Sequence, residues 1–231
     1  MRTAKLIRAR PLTPSVRELT FDPGSDFAFE AGQWVSCRIP TNEGEDLARS
    51  YSIASAPRPN GTFDLAVTRV EEGPGSNYLH SLSLGSEVTI SRAQGFFTLD
   101  EFERPIVMVA TGTGVTPFRA MLQVLHAKGP FAHPVSLILG VRTEDDIVYG
   151  DELEALARER DLDFSTTLSQ PTRWPGRRGY VQTHLAELVG RHQGNCDVYI
   201  CGLSKMVKDV RRILKEELGL TKHQIHSERF D

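Results

Sequence analysis

The sequence has few cysteines, no long apolar run and little excess charge. Its 231 residues include three cysteines, an odd number, so we do not expect a framework of disulfide bonds. The longest apolar run, from Ile106 to Ala110, is far shorter than the roughly 20 residues of a membrane span. A formal net charge of −3 gives no electrostatic reason to expect nucleic acid as a partner. We therefore expect a cytoplasmic protein without a signal peptide.

The small number of cysteines also excludes one class of metal site. A plant-type [2Fe–2S] cluster needs four thiolates, three of them in a C-x4-C-x2-C run. Cys196 and Cys201 give C-x4-C and nothing after it, and Cys37 lies far away in the sequence. We expect no metal site in this chain.

The two halves of the chain follow different patterns. From Lys5 to about Ile90, short segments rich in β-branched residues alternate with turn residues, as in an antiparallel barrel or sandwich. From Pro105, apolar strands alternate with amphipathic helices, which is typical of a parallel sheet covered on both faces. The sequence predicts these helices at Phe118–Lys128, Gly150–Arg160, Val181–Leu188 and Lys205–Leu218. We place the domain boundary near residue 102, which gives a β-barrel domain over residues 1–101 and an α/β domain over residues 102–231.

A glycine turn between a strand and a helix is the clearest local motif. The strand ends at Thr111, and Pro117 suits the first helical turn, where its missing N–H is not needed. Gly112 and Gly114 let the backbone approach a phosphate, and the positive helix end favours an anion. A turn that merely joins a strand to a helix would show the same pattern.

The segment Arg49 to Ser55 combines a cation, an aromatic ring and hydroxyls on one strand. Alternation places Arg49 and Tyr51 on one face and Ser50 and Ser52 on the other. Arginine suits phosphate oxygens, and a tyrosine ring can stack on a planar heterocycle. An exposed strand of ordinary β-forming residues is an equally simple interpretation.

Two further segments carry weaker signals. After Gly75, Ser76 and Asn77 have the pattern of an N-cap for a short helix that begins near Tyr78, which could accept an anion or be a plain capped turn. Cys201 and its neighbouring glycine are predicted at the C-terminal edge of a parallel strand, where ligands of open α/β sheets bind. A lone cysteine or methionine there is more often a core residue.

Together these segments resemble the ferredoxin–NADP reductase family, in sequence order and across nearly the whole chain. The motifs R-x-Y-S, G-x-x-S and G-T-G-x-x-P correspond to Arg49–Ser52, Gly73–Ser76 and Gly112–Pro117. The motifs C-G-x-x-x-M and E-x-aromatic correspond to Cys201–Met206 and Glu228–Phe230. The resemblance implies a β-barrel domain that binds FAD, followed by an α/β domain that binds NAD(P).

The resemblance also implies roles in FAD binding and catalysis. Arg49, Ser76 and Asn77 would hold the pyrophosphate, and Tyr51 would stack on the flavin. Ser52 would hydrogen-bond near flavin N5. The expected FAD-binding set is Arg49, Ser50, Tyr51, Ser52, Val67, Thr68, Gly75, Ser76, Asn77, Thr113 and Phe230. The expected catalytic set is Ser52, Cys201 beside the nicotinamide, Glu228 as proton relay or acceptor guide, and Phe230 as a cover on the flavin.

For the nicotinamide nucleotide, the resemblance leaves NADPH and NADH open and favours NADPH. Ser169, Arg178 and Tyr180 match residues that grip the 2′-phosphate in NADP-specific relatives. However, Gln170 stands where many of them have arginine, and the W-P-G-R-R-G-Y loop is similar to loops in NADH-using oxygenase reductases. The expected NAD(P)-binding set is Gly112, Gly114, Pro117, Arg142, Ser169, Arg178, Tyr180, Cys201, Gly202, Leu203 and Met206.

The resemblance implies a reductase that passes electrons to a separate acceptor protein, such as ferredoxin, flavodoxin or an oxygenase component. Any iron–sulfur centre would lie on that other chain. Two alternatives fit the same motifs: a reductase that releases reduced free flavin, and an FAD-binding electron-transfer subunit of a larger redox complex. We expect a monomer with no nucleic-acid partner and no membrane span.

Overall fold

The computed structural model describes residues 1–41, 44, 46–99 and 101–230. They form two compact units, Met1–Thr98 with Thr116–Val124, and Leu99–Val115 with Leu125–Asp231. Each unit contains one six-stranded sheet. The boundary near residue 102 stays a prediction.

The first unit is built on an antiparallel sheet, as the short β-branched segments predict. The order across this sheet is β4-β3-β6-β1-β2-β5. An isolated antiparallel bridge between Ile53 and Leu65 joins the two ends of that order, so the sheet closes into a barrel. The strands are β1 Arg2–Pro11, β2 Val16–Asp22, β3 Trp34–Ile39, β4 Leu47–Ser52, β5 Phe63–Thr68 and β6 Glu87–Ile90.

Aromatic side chains fill one part of the barrel core. The rings of Phe21 and Phe63 stack with centroids 5.9 Å apart, and Phe27 lies 5.3 Å from Phe63. Inward-facing aliphatic residues of the strands complete this core, because alternate residues of a strand point to one face.

A short helix, α1 Pro74–Ser81, lies between β5 and β6 of the first unit. The sequence predicted its start near Tyr78 with Ser76 and Asn77 as the N-cap, and that prediction is wrong. The N-cap is Gly73, and Pro74 opens the first turn. Proline is favoured there because the first N–H groups of a helix have no intrahelical partner.

The second unit is a parallel sheet in the order β10-β9-β8-β7-β11-β12. Every residue from Ile106 to Ala110 is fully buried, so the central strand β7 is covered on both faces. The strands are β7 Ile106–Thr111, β8 Val135–Val141, β9 Leu162–Leu168, β10 Arg177–Arg178, β11 Asp197–Leu203 and β12 Ile225–Phe230. The helices that follow β7, β8, β10 and β11 are α2 Thr116–Lys128, α3 Gly150–Glu159, α4 Leu185–Gly190 and α5 Ser204–Arg212.

The helices of the α/β half differ from the predictions mainly at their ends. The segment predicted from Val181 begins as a 3₁₀ turn, and α4 starts at Leu185. The helix predicted to run to Leu218 is α5, which continues as a wider π-helical turn over Ile213–Glu217. Within the described ranges, no helix has the length and apolar character needed to cross a bilayer.

Candidate cofactor-binding sites

In the first unit, strand β4 and the start of helix α1 are in close contact. A β-carbon on Gly75 would lie 2.8 Å from Cγ of Arg49 and 3.0 Å from the hydroxyl oxygen of Tyr51. Arg49 and Tyr51 therefore share one face of β4, as the alternation predicts. The R-x-Y-S and G-x-x-S motifs, more than 20 residues apart in the sequence, meet at this point.

Arg49 is placed to bind an anion. Its side chain is exposed, and Nη1 donates a hydrogen bond to the carbonyl oxygen of Ala48 at 2.9 Å. The guanidinium group carries five N–H donors, so one such bond leaves donors that can pair with phosphate oxygens.

Tyr51 presents a neutral phenol beside the helix. Burial raises the pKa of this half-buried side chain to about 12, and the charge of Arg49 lowers it by less. The phenol therefore keeps its proton at physiological pH. Its hydroxyl can donate a hydrogen bond, and its ring offers a flat apolar surface.

The start of α1 offers backbone N–H groups rather than side chains. Gly73 has no side chain with which to cap them. The Ser76 hydroxyl accepts a hydrogen bond from Val70 N at 3.0 Å, and it donates to the Gly73 carbonyl oxygen at 3.1 Å. The Asn77 amide donates to the carbonyl oxygens of Val70 and Glu71 at 3.2 and 3.0 Å. These two side chains shape the loop before the helix, and the N–H groups of its first turn are the donors for an anion.

The far end of α1 is fixed by two residues that the sequence analysis missed. Nε2 of His80 lies 2.8 Å from the carbonyl oxygen of Val67 on β5. Nη1 of Arg17 on β2 donates to the carbonyl oxygens of His80 and Leu82 at 2.7 and 3.1 Å. A cation near a helix C-terminus is favourable. The sequence does not identify Arg17 as that cation, because Arg17 lies more than 60 residues away from His80 and Leu82.

The remaining residues predicted to bind FAD lie in both units. Ser50 is exposed and Ser52 is buried at the end of β4. Val67 is buried and Thr68 is exposed at the end of β5. Thr113 and Phe230 belong to the second unit. Their roles toward the flavin stay predictions.

The predicted glycine turn is present after β7. Strand β7 ends at Thr111, a 3₁₀ turn covers Gly112–Val115, and α2 begins at Thr116 with Pro117 in its first turn. Gly112 has φ +52°, a left-handed conformation that glycine adopts without strain. The N–H groups at the start of α2 form a site suited to phosphate.

Strand β11 runs directly beside this turn. A β-carbon on Gly114 would collide with the backbone carbonyl of Cys201. A β-carbon on Gly202 would collide with the Thr111 hydroxyl and lie 2.8 Å from Cε of Met206. Both glycines are therefore required by close packing at the carboxyl ends of two neighbouring parallel strands.

The hydroxyl oxygen of Thr111 supports a ligand site at the same place. It is buried and has no hydrogen-bond partner within the described part of the chain. Buried polar atoms are almost always paired, so one that lies beside Gly112 and Gly202 fits a polar ligand group. The side chains at this edge therefore fit a nicotinamide nucleotide.

Cys201 has the burial and the raised pKa expected of a spacer, and its role beside the nicotinamide stays a prediction. Its side chain is fully buried, and burial, with a smaller effect of the Glu228 charge, holds the pKa of its thiol well above the usual range. Glu228 of β12 is its register partner. At the end of the same pair of strands, Leu203 is exposed and lies opposite Phe230.

Residues predicted to read the 2′-phosphate gather at the carboxyl ends of three adjacent strands. Ser169 N donates to the Val141 carbonyl oxygen at 3.0 Å, which brings Ser169 beside the exposed Arg142. Arg178 ends β10 opposite Leu168, and both Arg178 and Tyr180 are exposed.

Glu144 fixes the loop between Ser169 and Arg178, a contact that no sequence motif indicates. Its Oε1 accepts hydrogen bonds from the backbone N–H groups of Thr172 and Arg173 at 3.0 and 2.9 Å. Hydrogen bonds from its own N–H and from these two lower the pKa of Glu144, and the charge of Arg178 acts in the same direction.

Comparison with known proteins identifies two domains in the chain. Residues 3–99 match the model of the oxidoreductase FAD-binding domain, and residues 108–212 match the oxidoreductase NAD-binding domain. The chain is 48% identical to ferredoxin–NADP reductase B of Sorangium cellulosum, over 99% of this chain and 97% of that protein. The chain belongs to the ferredoxin–NADP reductase family. Like the family, it is an oxidoreductase with FAD and a nicotinamide nucleotide as cofactors.

More distant members of the family and solved structures are also similar. The toluate 1,2-dioxygenase electron transfer component of Pseudomonas putida is 32% identical, over 98% of this chain and 67% of that protein. A ferredoxin NADP+ reductase from Neisseria gonorrhoeae with bound FAD and NADP superposes with a TM-score of 0.85 at 23% identity, covering 98% of this chain and 97% of that one. This structural similarity shows the shared fold.

Proposed function

We propose that this protein takes hydride from NADPH and delivers electrons to a separate acceptor protein such as ferredoxin or flavodoxin. The observation that carries the proposal is the edge formed by Gly114, Gly202 and the buried Thr111 hydroxyl, which has no hydrogen-bond partner among the described residues. A subunit that only anchored FAD would have no use for such a nicotinamide site. In the described residues the three cysteines are free and buried, so the acceptor's metal centre belongs to another chain.

Each group of residues has an assigned role in binding FAD or the nicotinamide nucleotide in this proposal. Arg49 and the first N–H groups of α1 bind the FAD pyrophosphate, and Tyr51 stacks on the flavin. Ser52 at the end of β4 donates a hydrogen bond near flavin N5. The start of α2 binds the nucleotide pyrophosphate, and Thr111 and Cys201 shape the slot for the nicotinamide. When bound, FAD accepts hydride and gives up electrons singly or as a pair.

NADPH is the nucleotide in this proposal because exposed cations surround the predicted 2′-phosphate position. Arg142 follows β8 and Arg178 ends β10, the two strands on either side of β9, and Tyr180 lies two residues after Arg178. Arginine binds phosphate through paired N–H groups, and the 2′-phosphate is the only group by which NADPH differs from NADH.

An oxygenase component is the second candidate acceptor. The relative from Pseudomonas putida is described as the electron transfer component of toluate 1,2-dioxygenase. The proposal further includes a cytoplasmic location, where free cysteines stay reduced. It also includes a monomer without nucleic-acid partners, since each unit has its own buried core.

Steady-state assays with the purified FAD-loaded protein test the proposal. Ferredoxin, flavodoxin, an oxygenase ferredoxin and free flavin are offered in turn, each with NADPH and with NADH. We expect reduction of at least one of the proteins with a higher kcat/KM than free flavin, and a preference for NADPH. Reduction of free flavin alone would favour the flavin reductase, and no turnover with any acceptor would favour the anchoring subunit.

A further inference from the structure

A chain of hydrogen bonds links β9, the strand next to the edge strand β10, to the segment that carries Arg178. Nη1 of Arg177 lies 3.3 Å from Nδ1 of His184. Nε2 of the same ring lies 3.0 Å from the Thr167 hydroxyl, which donates to the Gly179 carbonyl oxygen at 2.9 Å. Thr167 is fully buried in β9.

The donor and acceptor roles in this chain are fixed by chemistry. Arginine can only donate, so Nδ1 of His184 accepts and Nε2 carries the proton. Nε2 then donates to the Thr167 hydroxyl, whose own proton goes to the Gly179 carbonyl. Burial first, and then the charge of Arg177, lower the pKa of His184, whereas the Arg178 backbone and the charge of Glu187 act in the opposite direction. The neutral ring that the chain requires is therefore the form present at physiological pH.

The chain of hydrogen bonds ends at the backbone of Gly179. Its φ of +96° is left-handed, and its N–H donates to the Leu168 carbonyl oxygen at 2.8 Å. The backbone at Gly179 is thus held on both sides by β9. Arg178 and Tyr180 flank this residue directly, so the direction of both side chains depends on it.

Other bonds that hold this segment in the described residues are local ones: Nη2 of Arg178 donates to the Trp174 carbonyl oxygen at 2.9 Å, and the Thr183 hydroxyl donates to the Tyr180 carbonyl oxygen at 2.8 Å. Strand β10 consists of Arg177 and Arg178 alone, and a two-residue strand has few ladder bonds of its own. Glu187 anchors the outer end, where both of its oxygens accept hydrogen bonds from Arg177 at 2.5 and 2.7 Å. His184 contacts the Arg178 backbone as well as Arg177.

We infer that Thr167 and His184 are positioning residues for nucleotide preference. They fix the Gly179 backbone so that Arg178 and Tyr180 face the 2′-phosphate, and neither needs to touch the nucleotide. The inference rests on the proposed function, in which Arg178 and Tyr180 read that phosphate.

Thr167→Val tests the inference because it removes the hydroxyl and keeps a β-branched side chain of similar size. Binding of adenosine 2′,5′-bisphosphate and of 5′-AMP to the FAD-loaded protein is measured by calorimetry. We expect the Kd of the bisphosphate to rise roughly 3- to 10-fold, the range for one lost hydrogen bond, and the Kd of 5′-AMP to stay constant. The KM for NADPH should rise in the same proportion without a change in kcat, and Thr167→Ser should restore both.

Two companion variants make the result decisive. Thr166→Val removes a hydroxyl of a buried threonine one residue earlier, on the opposite face of β9, and should leave the ratio of the two Kd values unchanged. His184→Ala removes the imidazole from the same chain of hydrogen bonds and should reproduce the selective rise in the Kd of the bisphosphate. It provides the test if Thr167→Val folds poorly.

The outcomes separate this inference from the proposed function. If Arg178→Ala weakens the bisphosphate selectively while Thr167→Val and His184→Ala do not, the positioning role is wrong and the 2′-phosphate site stands. If Thr167→Val weakens the binding of both ligands equally, the role of Thr167 is purely structural. If Arg178→Ala affects both ligands equally, this segment does not read the phosphate, and the inference fails together with the NADPH preference.

Discussion

Gly75 and Arg49 lie so close together that a β-carbon on Gly75 would come within 2.8 Å of Cγ of Arg49. This contact joins the start of α1 to β4 in the first unit. No side chain larger than hydrogen fits there unless Arg49 moves. Since Arg49 and the helix start are the groups we assign to the FAD pyrophosphate, the glycine sets their separation.

Gly75→Ala should therefore weaken FAD binding in a folded protein. Overpacking by one methyl group typically costs about 1–3 kcal/mol. Here the added methyl group displaces Arg49 and leaves the core unchanged. We expect a rate of FAD release at least about tenfold above that of the wild type, followed by flavin fluorescence after dilution. Gly190→Ala is the control, because nothing lies within 4 Å of its added carbon. Equal rates of FAD release in the two variants would show that Gly75 does not belong to the FAD site.

Asp64 should be a major source of stability in the first unit. It is fully buried, accepts hydrogen bonds from Thr20 at 2.8 Å and from Arg58 at 3.0 and 2.5 Å, and lies 3.4 Å from Nη1 of the buried Arg119. Asp64→Asn removes the carboxylate that pairs with Arg58 and with the buried Arg119, and leaves Arg119 with the more distant Glu18 carboxylate at 3.8 Å, so we expect a loss of about 3–5 kcal/mol in urea unfolding. Asp26→Asn breaks an exposed pair with Arg2 and should cost far less, because solvent screens exposed pairs. Similar losses in both variants would contradict this account.

The same carboxyl group predicts the direction of the pH dependence of stability. Burial raises the pKa of Asp64, but the hydrogen bonds from Arg58 and Thr20 and the charges of Arg58 and Arg119 together lower it below the usual value. A carboxyl whose pKa is lowered in the folded state stabilises the protein at pH values above the pKa of the same group in the unfolded chain, about 3.9. This stabilisation is lost as the pH falls through the pKa of the folded state. The difference in unfolding free energy between wild type and Asp64→Asn should therefore shrink below about pH 4. A constant difference down to pH 2 would exclude this linkage.

Arg178→Ala should raise the KM for NADPH roughly 10- to 100-fold and change the KM for NADH far less. A charge-assisted hydrogen bond to phosphate contributes about 1.5–3 kcal/mol, and only NADPH carries the 2′-phosphate. Steady-state kinetics with both nucleotides provide the measurement. Arg158→Ala removes an exposed charge from α3 and should leave both constants unchanged.

The cysteines should resist alkylation in the native protein. Burial raises the pKa of Cys37 to about 12 and that of Cys196 to about 11, and it raises that of Cys201 well above its usual value. Only the thiolate reacts with iodoacetamide, so we expect no adduct after an hour at pH 8, and three adducts in urea, both measured by mass spectrometry. Rapid modification of Cys201 alone would contradict its assignment as a spacer.

The sequence predicted those parts of the protein that depend on local backbone chemistry. Gly112, Gly114 and Pro117 were recognised because a tight turn before a helix can be made by few residue types. The alternation in β4 placed Arg49 and Tyr51 on one face. The start of α1 differs from the prediction because Ser76 has the pattern of a cap, although Pro74 is the stronger signal of a first helical turn.

Contacts between distant segments could not be predicted in this way. The partners of Asp64 include Thr20 and Arg119, which lie 44 and 55 residues away in the sequence. Strand β10 has two residues and therefore no periodicity to detect. The bonds from Thr167 to Gly179 and to His184 depend on the register of β9 and β10, which only the folded sheet defines.

Anaerobic stopped-flow mixing of NADPH with the FAD-loaded protein tests the central claim most directly. The oxidised flavin absorbance near 450 nm is followed, and a stoichiometric amount of ferredoxin is then added. The account predicts fast bleaching with NADPH, slower bleaching with NADH at the same concentration, and recovery of the absorbance as ferredoxin is reduced. A flavin that neither nucleotide bleaches would contradict it.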